Sequence, residues 1–369
     1  MSNVRDDGYY YDFLKDLEAY PDTWCYIIYG GRNTGKTYST LRRAVESNKK
    51  FVFIKRSKED MKMLCTGGSK KAKELGVTVD TSPFVSLNRD FGWTIKPFLL
   101  EDIGIFCHCD KDGYPVKGKD PVGYILSVNA SGKYKGFDMS YVDWMIFDEF
   151  VPKIWDRKMK NEGDAVLDLY KTISRDREHR GKQALKLICL ANADNASSPL
   201  TETLEVTDDI VTMSLQREAS FYNEERDIFI RRLIDNKSFK EKEAQARIYR
   251  AMSGTRWGQM ALDNDFGYND FSQVNRYSLK RAQPLCRVHY KQSDYYLYVN
   301  EKGIYIFTHV PFNTKADVYD LNLEADQRRF FYAWITRLQD AAAAHRCIFS
   351  KYTLSRIVYE YRNIFKING

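Results

Sequence analysis

Residues 27–37 read Ile27-Ile28-Tyr29-Gly30-Gly31-Arg32-Asn33-Thr34-Gly35-Lys36-Thr37. An apolar strand-like run meets the pattern G-x-x-x-x-G-K-[ST], and each residue type has a physical reason. Glycines at Gly30, Gly31 and Gly35 let backbone N–H groups, with those of Arg32, Asn33 and Thr34, curl around phosphate oxygens. Lys36 reaches the β- and γ-phosphates, and Thr37 offers a hydroxyl to Mg²⁺. The stretch Thr37–Glu46 carries Leu41, Ala44 and Val45 at helical spacing. Its N-terminus would aim the positive end of a helix dipole at the phosphates. The chain is therefore expected to bind a nucleoside triphosphate, ATP with Mg²⁺.

A second apolar run, Trp144-Met145-Ile146-Phe147, ends in Asp148-Glu149. Asp148 is placed to hold Mg²⁺ through water, and Glu149 to orient the attacking water. Either carboxylate alone could cap a helix. Beside a phosphate loop, the adjacent pair favours hydrolysis over phosphorylation of a small molecule, and no N-K-x-D guanine-reading motif accompanies it. The distance from Lys36 to Asp148 leaves room for an extra strand between the two motif strands, the layout of ring and translocase ATPases. A third run, Leu187–Ala191, ends at Asn192, either a γ-phosphate sensor or an Asx turn. Ser174-Arg175-Asp176-Arg177-Glu178-His179-Arg180 reads as the end of a helix. Arg175, then Arg177, are candidates for an arginine finger donated across a subunit boundary; a solvated helix C-terminus is the alternative. Lys55-Arg56-Ser57-Lys58 follows a strand and could reach phosphate. Lys70-Lys71, Lys133-Tyr134-Lys135 and the loop holding Lys111, Lys117 and Lys119 could touch a nucleic-acid backbone.

With 369 residues the chain has room for two domains, and its net charge of +7 suits a polyanionic partner without requiring one. No stretch of about 18 apolar residues suggests a membrane span. The polar, acidic start is unlike a signal peptide. Seven scattered cysteines suggest free thiols in a reducing compartment. Cys107-His108-Cys109 lacks a second ligand pair at zinc spacing and reads better as a strand. Strands are expected at Trp24–Tyr29, Lys50–Lys55, Gly123–Val128, Asp143–Phe147, Ala184–Ala191 and Ile210–Ser214, with a helix over Asp164–Arg177. This predicts a mainly parallel α/β sheet of the P-loop NTPase (ASCE/RecA-like) kind over residues 1–214. The densely charged stretch from Arg217 to Met252 reads as helix, giving a helical linker over 215–265. Leu285–Tyr290, Tyr295–Val299 and Gly303–His309 read as an antiparallel meander, and Leu323 onward as helix, giving a smaller α+β domain over 266–369.

In this order the motifs resemble the DNA-packaging ATPases of small protein-primed tailed phages, the phi-29-like group. The resemblance rests on G-x-R-x-x-G-K-[ST] with Arg32, Lys55-Arg56, Ile146–Phe150, Arg175–Glu178, Cys189–Ala193, Arg232–Asp235 and residues 258–264. It implies a homopentameric ring on a procapsid, docked to a portal and a structural prohead RNA, driving double-stranded DNA into the shell with ATP. It places the chain in the host cytoplasm, transiently at the procapsid vertex, with no membrane partner. It puts the trans-acting arginine finger at Arg175 and a second trans-acting basic residue at Lys58. It also implies that the C-terminal domain resembles a degenerate ribonuclease-H-type nuclease. The strand Leu285–Tyr290 carries no carboxylate, so no nuclease activity is expected. The other readings are a nucleotide-switched assembly ATPase and a P-loop small-molecule kinase.

Overall fold

Runs of buried, β-branched and aromatic residues with no polar alternation form the centre of a nine-stranded sheet, since parallel strands covered on both faces need apolar side chains on both. β1 (Cys25–Tyr29) is buried at all five positions. β2 (Phe51–Lys55), β5 (Gly123–Ser127), β6 (Trp144–Asp148), β7 (Lys186–Ala191) and β9 (Ile228–Arg232) run parallel to it. The antiparallel hairpin β3 (Ile95–Leu100) and β4 (Ile103–His108) closes one edge. β8 (Ser220–Asn223) closes the other, giving the order β3-β4-β5-β2-β6-β7-β1-β9-β8. β7 thus stands between β1 and β6. The computed structural model describes residues 10–65, 81–153, 156, 159, 161–234, 241–255, 257, 258, 266 and 269–367. The chain divides into two units, Met1–Tyr268 and Asn269–Gly369.

Strand register positions the site. Tyr29 pairs with Ala191, and Asp148 with Leu190. The carboxyl ends of β1, β6 and β7 therefore finish level, and whatever follows each strand emerges at one edge. Beneath that edge, Phe13, Tyr26, Leu41, Phe51, Phe53, Phe106 and Ile146 share one core. Phe84 and Phe106 meet edge-to-face with centroids 5.0 Å apart, an arrangement that adds to the burial of both rings.

In the second unit, β13 (Asp317–Asp320), β10 (Gln283–Tyr290), β11 (Ser293–Val299), β12 (Tyr305–Thr308) and β14 (Cys347–Phe349) pair in that order. Cys286, Val288, Leu297 and Phe307 pack with Phe330, Ile335, Leu338, Leu354 and Ile357 in a core of its own. All seven cysteines are free and buried.

Several expectations need correction. Ile210–Ser214 lies within the helix Thr207–Leu215, because a five-residue apolar run has no length from which to read a period. The stretch taken for the start of a helical linker holds β8 and β9, which belong to the sheet. Its charges Glu224, Glu225 and Arg226 form the turn between those strands. The C-terminal helical region is interrupted by β14, parallel to β12. Lys70 and Lys71 and residues 259–264 lie outside the described residues.

Candidate functional site

The Gly30–Thr37 loop joins β1 to the helix Lys36–Glu46. Gly30 N–H donates to the Ala191 carbonyl at 3.1 Å, tying the loop to the end of β7. A Cβ on Gly30 would lie 2.7 Å from Leu233 Cδ1, so only glycine fits between the loop and the residue after β9. Gly35 has φ +90°, a conformation other residues resist, and Tyr10 lies 3.2 Å from where its Cβ would be.

Lys36 is buried. Its ammonium donates to the carbonyls of Gly30 (3.0 Å) and Gly31 (2.8 Å), to Thr34 Oγ1 (3.3 Å) and to Asn192 Oδ1 (3.4 Å). Burial pulls its pKa down to about 8, while the nearby Asp148, Asp194 and Glu149 charges oppose the shift. Thr37 Oγ1 donates to Asp148 at 2.9 Å, and Lys55 Nζ lies 3.2 Å from the other Asp148 oxygen. A hydroxyl and a carboxylate this close form an oxygen donor pair that fits Mg²⁺, which binds through one or two protein oxygens plus phosphate and water.

Glu149 is exposed, with φ +55°, a left-handed backbone unusual for glutamate. Arg56 fastens this turn, donating to the carbonyls of Glu149 (3.1 Å) and Phe150 (3.0 Å). Arg56 is itself held by Glu162, at 2.9 and 3.1 Å, whose carboxylate is fully buried at the start of the helix Glu162–Ser174. Burial lifts the Glu162 pKa, and Arg56 opposes that rise.

These groups meet in one cavity of about 620 Å³, lined by Arg32 to Tyr38, Asp148, Glu149 and Asn192, with Tyr10 and Glu243 also on its wall. Its volume and polarity suit a nucleotide-sized anion. A second cavity of about 1000 Å³ shares Asp148 and Glu149, and adds Lys55, Arg56 and Lys153.

Three candidates stand apart from this cluster. Lys58 begins the helix Lys58–Leu64 and pairs with Asp102, whose carboxylate holds the lysine above its ordinary pKa. Arg175 is exposed, ends its helix with φ +46°, and donates to the Phe137 carbonyl at 2.7 Å. Arg177 departs from the finger expectation. It is buried, with its guanidinium on the Val142 carbonyl and 3.3 Å from Asp143, so it is committed to the fold. Lys133 pairs with Asp102 at 3.4 Å. The roles of Arg56, Glu162, Lys153 and Asp194 were not legible in the sequence, because their partners lie up to 106 residues away.

A large, mainly parallel α/β sheet with a polar, nucleotide-sized cavity at the carboxyl ends of three adjacent strands defines the class. Residues 116–330, more than half the chain, match the family described as Podovirus DNA encapsidation protein (Gp16), and the chain belongs to that family. It is 24% identical over 245 residues to the DNA packaging protein of Bacillus phage B103, covering 65% of this chain and 63% of that relative. It is 23% identical over 251 residues to the DNA packaging protein of Bacillus phage phi29, covering 65% and 61%. The chain therefore spans somewhat under two thirds of these relatives' length. A chain of the bacteriophage Phi-29 viral genome packaging motor assembly shares the fold, with a TM-score of 0.62 and 19% identity over 97% of this chain and 99% of that one. The Phi-28 gp11 DNA packaging motor does so at 0.57 and 16%, over 98% and 99%. No helix among the described residues is long and apolar enough to cross a membrane.

Proposed function

We propose that this chain is a P-loop ATPase that drives double-stranded DNA into a viral procapsid. The observation that carries the reading is the convergence of Lys36, Thr37, Asp148, Glu149 and Asn192 on one cavity in a chain of the DNA encapsidation family. The Gly30–Thr37 backbone receives the phosphates. Lys36 exchanges its loop carbonyls for phosphate oxygens, which restores a fully charged ammonium. Thr37 and Asp148 would hold Mg²⁺, which neutralises charge on the phosphates when bound. Glu149 accepts the proton of the attacking water from a turn fixed by Arg56, and Asn192 reads the terminal phosphate.

Arg175, exposed at the end of its helix, and Lys58 act on a neighbouring subunit's site. On this reading the site is completed in a ring, a homopentamer by the family resemblance, and hydrolysis depends on assembly. The portal and a structural prohead RNA are its docking partners, and the host cytoplasm and procapsid vertex its location. The ATPase domain extends through β9, beyond the boundary at residue 214 read from sequence, before a linker reaching to about residue 265. The C-terminal domain is a degenerate nuclease of the ribonuclease-H type without cutting activity. β10 carries no carboxylate, and Asp294 beside it is occupied by Arg287 (2.6 Å) and His289 (2.9 Å).

ATP turnover by the assembled protein, with and without double-stranded DNA over a salt series, tests the reading. DNA-stimulated, salt-sensitive turnover is expected. Glu149→Gln should keep ATP binding and lose hydrolysis. Turnover retained in that variant would remove Glu149 from its role, and DNA-independent turnover would point to a nucleotide-switched assembly protein instead.

A further inference from the structure

Asp194 lies two residues beyond Asn192, in the loop that follows β7, and forms an ion pair with Lys153. Both side chains are largely buried, at 20% exposure for Lys153 and 13% for Asp194. Lys153 lies four residues after Glu149 and lines the second cavity together with Asp148 and Glu149. Its backbone N–H donates to Asp156 at 2.8 Å, and Asp156 in turn lies 3.6 Å from Arg56. The segment after Glu149 is thus held from the β2 side by Arg56 and from the β7 side by Lys153.

The charges of both Asp194 and Lys153 are felt at the buried Lys36 ammonium, so the pair lies close to where phosphates would sit. An unpaired Asp194 there would repel a triphosphate. A terminal phosphate carries more charge than a carboxylate and offers more acceptor oxygens, so it competes well for an ammonium. The four-carbon lysine stem allows that exchange without backbone movement.

We propose that Lys153 is a positioning residue that leaves Asp194 for the terminal phosphate of a bound nucleoside triphosphate, so that the segment behind Glu149 is held differently in the triphosphate and diphosphate states. The proposal rests on the nucleotide-binding reading of the site. Its test is the affinity of the full-length protein for a non-hydrolysable ATP analogue and for ADP, each with Mg²⁺. Lys153→Ala should weaken the analogue about tenfold and leave ADP within about twofold, and Lys153→Arg should restore most of the difference. Asp194→Asn frees the ammonium and should tighten the analogue several-fold without changing ADP. Asp194→Asn removes only charge, so it carries the test if Lys153→Ala does not fold. A pair that merely staples two loops would lower thermal stability in both variants and leave the analogue-to-ADP ratio unchanged, which would overturn the proposal. A wild-type protein that binds neither nucleotide would overturn the site reading itself.

Discussion

Lys36 makes nucleotide affinity a function of pH in a range where most lysines are indifferent. Burial brings its pKa to about 8 in the empty site, against an ordinary value of 10.5. Bound phosphates supply the opposite charge that burial lacks and raise it again. The ammonium is therefore about nine-tenths protonated at pH 7 but only about one-tenth at pH 9. Binding at pH 9 must first recover the missing proton. The association constant for ATP should fall about tenfold between pH 7 and pH 9, or about 1.4 kcal/mol, with uptake of about half a proton per ATP at pH 8. Titration calorimetry in buffers of different ionisation enthalpy measures that uptake directly. Lys36→Arg, permanently charged, should bind with little pH dependence. Equal affinity at pH 7 and 9 with no proton uptake would refute the argument. The same shift affects folding. With the folded pKa below the unfolded one, the unfolded chain holds more protons between about pH 8 and 10.5, so this group's contribution to stability rises with pH across that window. The full effect is about 3 kcal/mol.

Further outcomes follow from the buried ion pairs and the glycine loop. Glu162→Ala strands the Arg56 guanidinium and should cost about 3 kcal/mol in urea denaturation, with a larger loss in kcat than in ATP affinity, because Arg56 holds the Glu149 turn. Arg177→Ala should lower stability by about 2 kcal/mol, whereas Arg175→Ala should leave the melting temperature nearly unchanged and reduce turnover. Mixing Arg175→Ala with Glu149→Gln subunits should recover activity, and failure at every ratio would argue against donation between subunits. Gly30→Ala drives a methyl group into Leu233 and should weaken ATP binding about tenfold or more, as read by displacement of a fluorescent nucleotide.

The parallel core was legible because strands buried on both faces spell unbroken apolar runs, and β1, β2, β5, β6 and β7 all do so. The expected site residues Lys36, Thr37, Asp148, Glu149 and Asn192 were found from strand ends, and the level register brings them together. The β8–β9 hairpin was missed because its turn is a charge run and its last strand residues are Arg231 and Arg232, which locally look like a solvated helix. Arg232 is nevertheless fully buried. Arg177 looked like a finger because a cluster of arginines gives no hint of which one folds inward. The partnership of Arg56 with Glu162 depends on β2 lying beside β6, a neighbour relation that no local pattern encodes.

The burial of every cysteine makes the folded chain nearly silent to thiol-reactive dyes. A cysteine introduced at an exposed position, such as Tyr332 in the second unit or Arg180 in the first, would carry a fluorophore alone, with no need to strip the native thiols. Those seven thiols also become timers. Cys25 and Cys189, in adjacent central strands, should label only as fast as the sheet itself opens, while Cys65, at the end of a short helix, should report looser local fluctuations.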